Sequence, residues 1–145
     1  MTMVDITAKP EIRRQATAKG QIKLKPETIN RIKQGKIEKG DIFTIAKVAG
    51  ILAAKNTSQL IPLCHHLPLT NIDVELRIMN ASTAEAEATV RTKAQTGVEM
   101  EALTAVSTAL LTVWDMTKQY EKDAKGQYPD TAIENIRVTS KIKHE

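Results

Sequence analysis

The chain has 145 residues, of which 41% are hydrophobic and 26% are charged. This length favours one modest core over two, so we expect residues 1–145 to form a single domain. No apolar run approaches membrane-spanning length, and the N-terminus lacks the apolar segment of a signal peptide. A cytoplasmic protein without membrane contact is therefore expected. The single cysteine, Cys64, excludes an internal disulfide and shows no familiar zinc-ligand spacing to the three histidines, so no metal site is predicted.

The net charge of +4 is unevenly distributed along the chain. Residues 1–55 contain twelve Lys and Arg against five Asp and Glu, whereas the remainder contains nine against twelve. A basic segment attracts either nucleic acid or a phosphorylated small molecule, although most single lysines simply solvate a surface. Single-stranded nucleic acid is usually stacked on aromatic side chains, and the four aromatic residues here are not interleaved with the basic ones. The composition therefore favours a small-molecule ligand and no nucleic acid.

The first half of the chain predicts an arm, a strand and two helices. Residues 1–12 have no strong period and contain a proline, which is typical of an extended N-terminal arm. Weak alternation over residues 13–24 predicts a strand. A proline at the start and a glycine after the end delimit a short helix over about residues 26–34. Apolar spacing over residues 41–55 predicts a second helix, with Asp41 as its N-cap.

The second half predicts a hairpin, a long helix and a final strand. Two prolines bracket an irregular segment at residues 62–68. Alternating apolar residues over 71–79 and 83–93 predict two strands joined as a hairpin. A helix is expected from about residue 97 to residue 123, and a strand over residues 132–141. This order predicts an α+β fold, with a ferredoxin-like antiparallel sheet packed against helices.

The long helix carries reactive side chains at both ends. Glu99, Met100 and Glu101 lie at its start, and Asp115 and Lys118 lie near its end. Fourteen residues separate Glu101 from Asp115, a rise of about 21 Å, which is too far for both to touch one small reacting centre. One chain alone is therefore not expected to complete the site. At 100° per residue the predicted core face holds Leu103, Val106, Leu110, Val113 and Thr117, and the largely polar face holds Glu101, Thr104, Thr108, Leu111, Asp115 and Lys118.

Several long motifs occur in one order over nearly the whole chain. They are MVDITAK from Met3, KGD from Lys39, AGILAAKNTSQLIPLCHHL from Ala49, and TGVEMEALTAV from Thr96 followed by DMTK. Together they resemble the molybdenum cofactor biosynthesis protein C family, the cyclic pyranopterin monophosphate synthases. Because the motifs are long and their spacings are compatible, this resemblance is far more specific than a lone short motif.

The resemblance implies a lyase that converts 3′,8-cyclo-7,8-dihydro-GTP, a cyclised GTP derivative, into cyclic pyranopterin monophosphate with release of pyrophosphate. It also implies a ferredoxin-like fold and a homohexamer, built as a trimer of dimers, with active sites between subunits. The sequence leaves open whether Mg²⁺ is required as a cofactor.

Catalytic roles are implied for Lys39, Asp115 and Lys118. Lys39 precedes a predicted helix start, where anions bind readily, although a lysine there often only solvates the helix end. Asp115 and Lys118, three residues apart, can form a charge pair suited to proton transfer. In a protein without this resemblance, the same pair would be a surface ion pair of little energetic value. Which residue is the acid and which the base stays open.

Substrate contacts are implied for residues that also have ordinary structural explanations. A histidine beside a cysteine is more often packed in a core than functional, glutamates at a helix start are common dipole partners, and arm or strand charges are commonly just exposed. The implied substrate-binding residues are Asp5, Arg14, Leu63, Cys64, His65, Glu99, Met100, Glu101 and Lys141.

Two functions of other classes remain as alternatives. The family commonly ends in a glycine-rich, lysine-containing tail, whereas this chain ends SKIKHE. A non-catalytic nucleotide-binding regulatory module of the same fold is therefore a second hypothesis. An RNA-binding domain is a third, and it depends on the basic first part alone.

Overall fold

The fold is described by a computed structural model covering residues 1–144. Three strands and three helices have the positions expected from the sequence within a few residues, and the last strand continues three residues further than expected. The elements in chain order are β1 (Ile12–Lys23), α1 (Pro26–Lys33), α2 (Ile42–Lys55), α3 (Thr57–Leu60), β2 (Leu69–Asn80), β3 (Thr83–Ala94), α4 (Glu99–Glu121) and β4 (Ala132–His144). The one-turn helix α3 was not predicted.

The four strands form one antiparallel sheet in the order β2-β3-β1-β4. This order arises because β3 inserts between β1 and β2, and β1 inserts between β3 and β4, which is the split βαβ arrangement. The α+β, ferredoxin-like prediction is therefore confirmed. Among residues 1–144, no helix combines the length and apolar character that crossing a membrane requires.

One face of the sheet is built from small apolar residues and is covered by helices. Alternate positions of β1 and β3 are buried, including Ala16, Ala18, Ala86 and Ala88, each fully inaccessible. At Gly20 a Cβ atom would lie 2.9 Å from side-chain atoms of α4 and β4, so a larger residue would push the helix off the sheet. The short side chains thus let α4 lie close to the strands.

The other face of the sheet, here called the open face, is polar. Cross-strand ion pairs cover its centre, with Lys19 Nζ 3.4 Å from a Glu87 oxygen and Arg77 3.0 Å from the same carboxylate. Thr17 and Thr89 hydroxyls are 2.9 Å apart. This face is therefore covered by charged and hydroxyl side chains instead of a second layer of helices.

The helix ends follow the predicted chemistry. Asp41 caps α2, because its carboxylate accepts hydrogen bonds from the Thr44 N–H at 3.3 Å and the Thr44 hydroxyl at 2.9 Å. Gly35 follows α1 with a φ of 67°, a conformation that favours glycine.

One prediction about α4 is wrong: Glu101 does not belong to an exposed polar face. The core face was placed correctly, since Val106, Leu110 and Val113 are fully buried, but Glu101 is only 3% exposed. Both α2 and α3 pack against α4, and helical periodicity alone does not reveal such a covering layer.

Candidate active site

A cluster of three charged side chains lies at the C-terminal end of α4. Lys39 Nζ is 3.1 Å from Asp115 Oδ2, and Lys118 Nζ is 2.9 Å from Asp115 Oδ1. Lys39 also donates to the main-chain carbonyl of Asp115 at 3.1 Å. We call Lys39, Asp115 and Lys118 the lysine cluster. Two ammonium groups thus hold one carboxylate from opposite oxygens, with one net positive charge.

The loop that carries Lys39 is fixed to α4 by neighbouring contacts. The Glu38 N–H donates to the Tyr120 hydroxyl at 2.8 Å, and the Gln119 amide donates to the Glu38 carboxylate at 3.1 Å. Gly40, with a φ of 121°, then turns the chain into α2. Residues far apart in sequence are thereby held in one rigid arrangement around Asp115.

The electrostatics of the lysine cluster favour its fully ionised form. Hydrogen bonds from Lys118 and then Lys39 lower the pKa of Asp115 below its ordinary 3.8, and the Asp115 carboxylate raises the pKa of Lys118. The side chains remain 43% to 57% exposed, so a ligand can reach them. The cluster can bind an anion and accept a proton at Asp115, while Lys118 stays a proton-bearing donor.

A second candidate region lies at the N-terminal end of α4, around a cavity of about 330 Å³. The irregular segment before β2 forms one wall and the first turn of α4 forms the other. We call this cavity the glutamate pocket. Five residues singled out from the sequence line it, namely Leu63, Cys64, His65, Glu99 and Met100.

The N-terminal arm contacts the glutamate pocket through His65. Its Nε2 atom is 2.7 Å from the Val4 carbonyl oxygen, and since a carbonyl only accepts, Nε2 carries the hydrogen. The other ring nitrogen, Nδ1, is therefore not used in this contact. Asp5 accepts from the Thr7 hydroxyl at 2.6 Å and the Thr7 N–H at 2.9 Å, which lowers the pKa of Asp5, and His65 contributes a smaller effect in the same direction.

Glu99 is held between β4 and the turn before α4. Its Oε1 atom is 3.6 Å from Lys141 Nζ, an ion pair too long for a hydrogen bond, and it has no hydrogen-bond partner among the described residues. A Cβ atom at Gly97 would collide with this same oxygen. A glycine before the helix therefore lets the carboxylate fold back over the helix start.

Glu101 lies deeper and is poorly solvated. Burial, followed by the nearby charge of Glu99, raises the pKa of Glu101, and its Oε1 atom has no hydrogen-bond partner within residues 1–144. Burial and then the charge of Glu101 also raise the pKa of the Cys64 thiol. A buried carboxyl without a partner is costly, and such groups are frequent at functional sites.

Arg14 lies apart from the lysine cluster and has a structural role in this chain. It is 6% exposed, and its guanidinium donates to the carbonyls of Ala94 at 3.0 Å, Pro10 at 3.3 Å and Gln95 at 3.3 Å. These bonds fix the end of the arm against the end of β3, just before the turn that leads into the glutamate pocket. Its implied contact with substrate stays a prediction.

The two regions remain separate within one chain. Since α4 is continuous from Glu99 to Glu121, the fourteen residues between Glu101 and Asp115 correspond to about 21 Å along the helix axis. Lys39 therefore lies beside Asp115 and Lys118, and the 63–65 segment lies beside Glu99 and Met100. Within one chain these two groups stay apart. No group of three or more His, Cys, Asp or Glu suited to a metal is found in the described part of the chain.

Two features of the site were not predicted. The Val4 carbonyl is a main-chain atom, so no residue type indicates its contact with His65. The contact between Lys141 and Glu99 joins two residues that were named separately, and only the pairing of β4 with β1 brings them together. The glycine of the TGVEM motif was a usable indication of the tight turn at Gly97.

Comparison with known proteins shows the family of the chain. The sequence profile of the MoaC family matches residues 3–143. Proteins named probable cyclic pyranopterin monophosphate synthase are similar over nearly the full length. The one from Sulfolobus acidocaldarius is 57% identical, covering 97% of this chain and 98% of that protein, and the one from Sulfurisphaera tokodaii is 55% identical, covering 97% and 93%. A protein from Methanothermobacter thermautotrophicus, named probable cyclic pyranopterin monophosphate synthase accessory protein, is 55% identical, covering 99% and 89%. The chain belongs to the MoaC family.

Proposed function

We propose that this protein is a cyclic pyranopterin monophosphate synthase of molybdenum cofactor biosynthesis, acting in the cytoplasm as one domain. It takes 3′,8-cyclo-7,8-dihydro-GTP to cyclic pyranopterin monophosphate and releases pyrophosphate, as a phosphorus-oxygen lyase. The observation that carries the proposal is the convergence of Lys39, Asp115 and Lys118, distant in sequence, on one exposed ionised cluster.

The lysine cluster suits the phosphate end of this substrate. With two ammonium groups and one carboxylate it keeps a net positive charge, and charge-assisted hydrogen bonds to phosphate oxygens are strong. The start of α2 contributes less than the sequence suggested, because the Asp41 carboxylate already accepts from the Thr44 N–H there. Phosphate binding is therefore assigned to Lys39 and Lys118 rather than to the helix end.

The cyclic phosphate forms when a substrate hydroxyl attacks the α-phosphorus. A new oxygen–phosphorus bond forms, the bond to the β-phosphate oxygen breaks, and pyrophosphate leaves with the bonding electrons. Asp115 accepts the hydroxyl proton, since its lowered pKa keeps it ionised, and the lysines stabilise the charge on the leaving pyrophosphate.

The glutamate pocket suits the heterocyclic end of the substrate. A cavity of about 330 Å³ with the Glu99 carboxylate and the His65 imidazole at its walls can bind the polar edge of a ring system. The raised pKa of Glu101 allows that residue to hold a proton and donate a hydrogen bond during ring opening and rebuilding. His65 and Glu99 contribute further polar contacts.

Both ends of one substrate are bound only if two chains cooperate. We propose a two-fold dimer in which the glutamate pocket of one chain faces the lysine cluster of its partner, and a hexamer assembled from three such dimers. Large apolar side chains of α4 are exposed at both regions, with Met100 of the glutamate pocket at 40% exposure and Leu111, one turn before Asp115, at 58%. Exposed apolar residues flanking both regions are consistent with a protein partner there.

Turnover on the cyclised GTP intermediate tests the proposal. The purified protein should release pyrophosphate and form the cyclic phosphate, and Lys39→Ala should abolish both products. Lys47→Ala is the matched control, because Lys47 is similarly exposed on α2 and pairs with Glu75 at 3.5 Å outside the site. Full activity of Lys39→Ala would remove Lys39 from the mechanism.

The second candidate is a non-catalytic nucleotide-binding module of the same fold. What favours it is the name of the Methanothermobacter relative, an accessory protein that is as similar as the relatives named synthases. Binding of the intermediate without pyrophosphate release, in a correctly assembled protein, would support this alternative over the first.

A further inference from the structure

Three basic side chains lie in one row across the open face of the sheet. In the strand register Arg13 of β1 is directly opposite Lys93 of β3 and directly opposite His144 of β4. Cross-strand partners project to the same side of a sheet, with Cβ atoms about 5 Å apart. The row therefore concentrates positive charge at the end of the sheet where β1 begins.

This row differs from the remainder of the open face. Six residues further along β1, Lys19 is opposite Glu87 and pairs with it at 3.4 Å, which is the usual compensation of cross-strand charge. Within residues 1–144, neither Arg13 nor Lys93 makes an ion pair or a side-chain hydrogen bond. Like charges directly opposite each other destabilise a sheet, so this row raises the free energy of the unliganded fold.

A neighbouring arginine extends the basic surface. Arg91, two residues before Lys93 on the same strand and face, donates to Gln15 at 2.8 Å, Asn71 at 3.0 Å and Asp73 at 3.3 Å. These contacts fix the direction of its guanidinium, while the exposed Asp73 offsets part of its charge. Arg91 is therefore a positioned cation at the border of the row.

A cavity of about 360 Å³ lies over this surface. Within the described part of the chain its lining residues include no Asp, Glu, Phe, Tyr or Trp. Its volume is that of a small-molecule site, and without Phe, Tyr or Trp it lacks the row of large rings on which single-stranded nucleic acid usually stacks.

The cavity is separate from the proposed active site. The alternation of β1 directs Arg13 to the open face, whereas Arg14 is buried on the helix side. Lys141, which pairs with Glu99, is opposite Ala16 and so also projects to the helix side. The cavity reaches the end of the sheet, where Arg14 also lines it, but it shares no lining residue with the glutamate pocket and includes none of Lys39, Asp115 and Lys118.

We propose that the cavity bordered by Arg13, Arg91, Lys93 and His144 is a second anion site, which binds a small phosphate-bearing molecule. The ligand offsets the uncompensated charge of the row, and Arg91 donates to a phosphate oxygen through Nη2, because its Nε and Nη1 already donate to Gln15, Asn71 and Asp73. The site is independent of the lysine cluster and of the glutamate pocket, and the guanidinium of Arg14, which also lines the cavity, already donates to main-chain carbonyls.

Calorimetric titration with pyrophosphate and with inorganic phosphate tests the proposal. The protein carries Lys39→Ala in every titration, so that binding at the lysine cluster does not contribute to the signal. Adding Arg13→Gln should weaken binding at least about tenfold, which corresponds to about 1.4 kcal/mol. Adding Lys19→Gln, which removes a paired lysine from the same strand and face, should leave the affinity unchanged.

Thermal unfolding at low salt provides a second readout. Without ligand, Arg13→Gln should raise the unfolding temperature because it relieves repulsion within the row, whereas Lys19→Gln should not. Three results would overturn the proposal. They are equal affinities of the Arg13→Gln and Lys19→Gln variants, no binding of either pyrophosphate or inorganic phosphate, and binding of RNA in preference to both anions.

Discussion

The two ends of α4 present the same chemical group in opposite environments. Asp115, 57% exposed at its side chain, is held by two ammonium groups that lower its pKa. Glu101 is 3% exposed, has an unpaired oxygen, and its pKa is raised by burial and by Glu99. Within one helix, one carboxyl is thus suited to stay an anion and the other to hold a proton.

This contrast shows that chemical role is set by neighbouring elements rather than by the helix. The loop before α2 brings Lys39 to Asp115, while the packing around the first turn of α4 leaves Glu101 only 3% exposed. Pairs of titratable groups whose environments separate their pKa values are the usual basis of acid and base assignments. The experiments below test whether the two ends differ in function as they differ in environment.

The largest effect is expected from Asp115→Asn, which removes the anion but keeps the shape of the side chain. Turnover should fall by about 100-fold or more, since a positioned proton acceptor typically contributes that much. The unfolding temperature should stay unchanged because the pair is exposed. Asp73→Asn is the control, as Asp73 is 59% exposed and pairs with Arg91 at 3.3 Å. An active Asp115→Asn protein would refute the assignment.

A mixing experiment tests whether the two ends belong to one site. Asp115→Asn and His65→Ala proteins, each inactive alone, are unfolded together, refolded and assayed for turnover. If each site combines two chains, half of the sites in a mixed dimer are intact, and random pairing restores about one quarter of the activity. Activity no higher than that of the separate variants would indicate that each chain carries its own site.

Glu101→Gln should change stability in a pH-dependent way. Because folding raises the pKa of Glu101 above 4.5, the folded protein binds the proton more tightly, and stability falls as pH rises from 4.5 through the folded value. Glutamine does not titrate. The variant should therefore be more stable than the parent above the folded pKa, by on the order of 1 kcal/mol, and the difference should vanish near pH 4.

A second buried glutamate provides the contrast for that measurement. Glu121 is fully buried, but it accepts from the Lys25 N–H at 3.0 Å, the Thr131 hydroxyl at 2.6 Å and the Thr28 hydroxyl. In Glu121→Gln an amide replaces the carboxylate that accepts from these donors. The free energy of unfolding, measured in urea, should fall by about 1–3 kcal/mol. If the free energy of unfolding changed with the same sign in both variants, this would contradict the view that Glu121 is satisfied by its partners whereas one oxygen of Glu101 is not.

The smallest effect is expected from Asp5→Ala in the arm. The variant removes both bonds to Thr7 and loosens the segment that presents the Val4 carbonyl to His65. Turnover should fall by less than about tenfold. Nitrogen NMR of the His65 ring should show a smaller fraction of the tautomer that carries the hydrogen on Nε2. An unchanged ring spectrum would mean that the arm does not control the histidine.

Much of the fold was predictable because its elements carry local patterns. Alternation identified β2 and β3, Asp41 identified the start of α2, and the order of elements indicated the split βαβ topology. The extension of β4 to His144 was missed because its polar residues alternate poorly, and pairing with β1 determines the strand. Helix α3 was missed because four residues are too few to show a period.

The candidate site was predictable as a set of residues but not as an arrangement. Asp115 and Lys118 are three apart on a helix, so their pairing followed from spacing alone. The contact of Lys39 with Asp115 depends on a loop anchored by Tyr120, which has no local signature. Burial of Glu101 was missed for the same reason: a covering layer is a tertiary property, and the period of one helix does not report it.

The bond between His65 and the Val4 carbonyl has a consequence for mutational scanning of this protein. Because the acceptor is a main-chain oxygen, every amino acid at position 4 supplies it, and substitutions there should be tolerated. A one-residue deletion between the arm and β1 would instead shift the oxygen by about 3 Å along the chain and break the contact. A scan of substitutions alone would therefore mark as dispensable a segment whose length is essential.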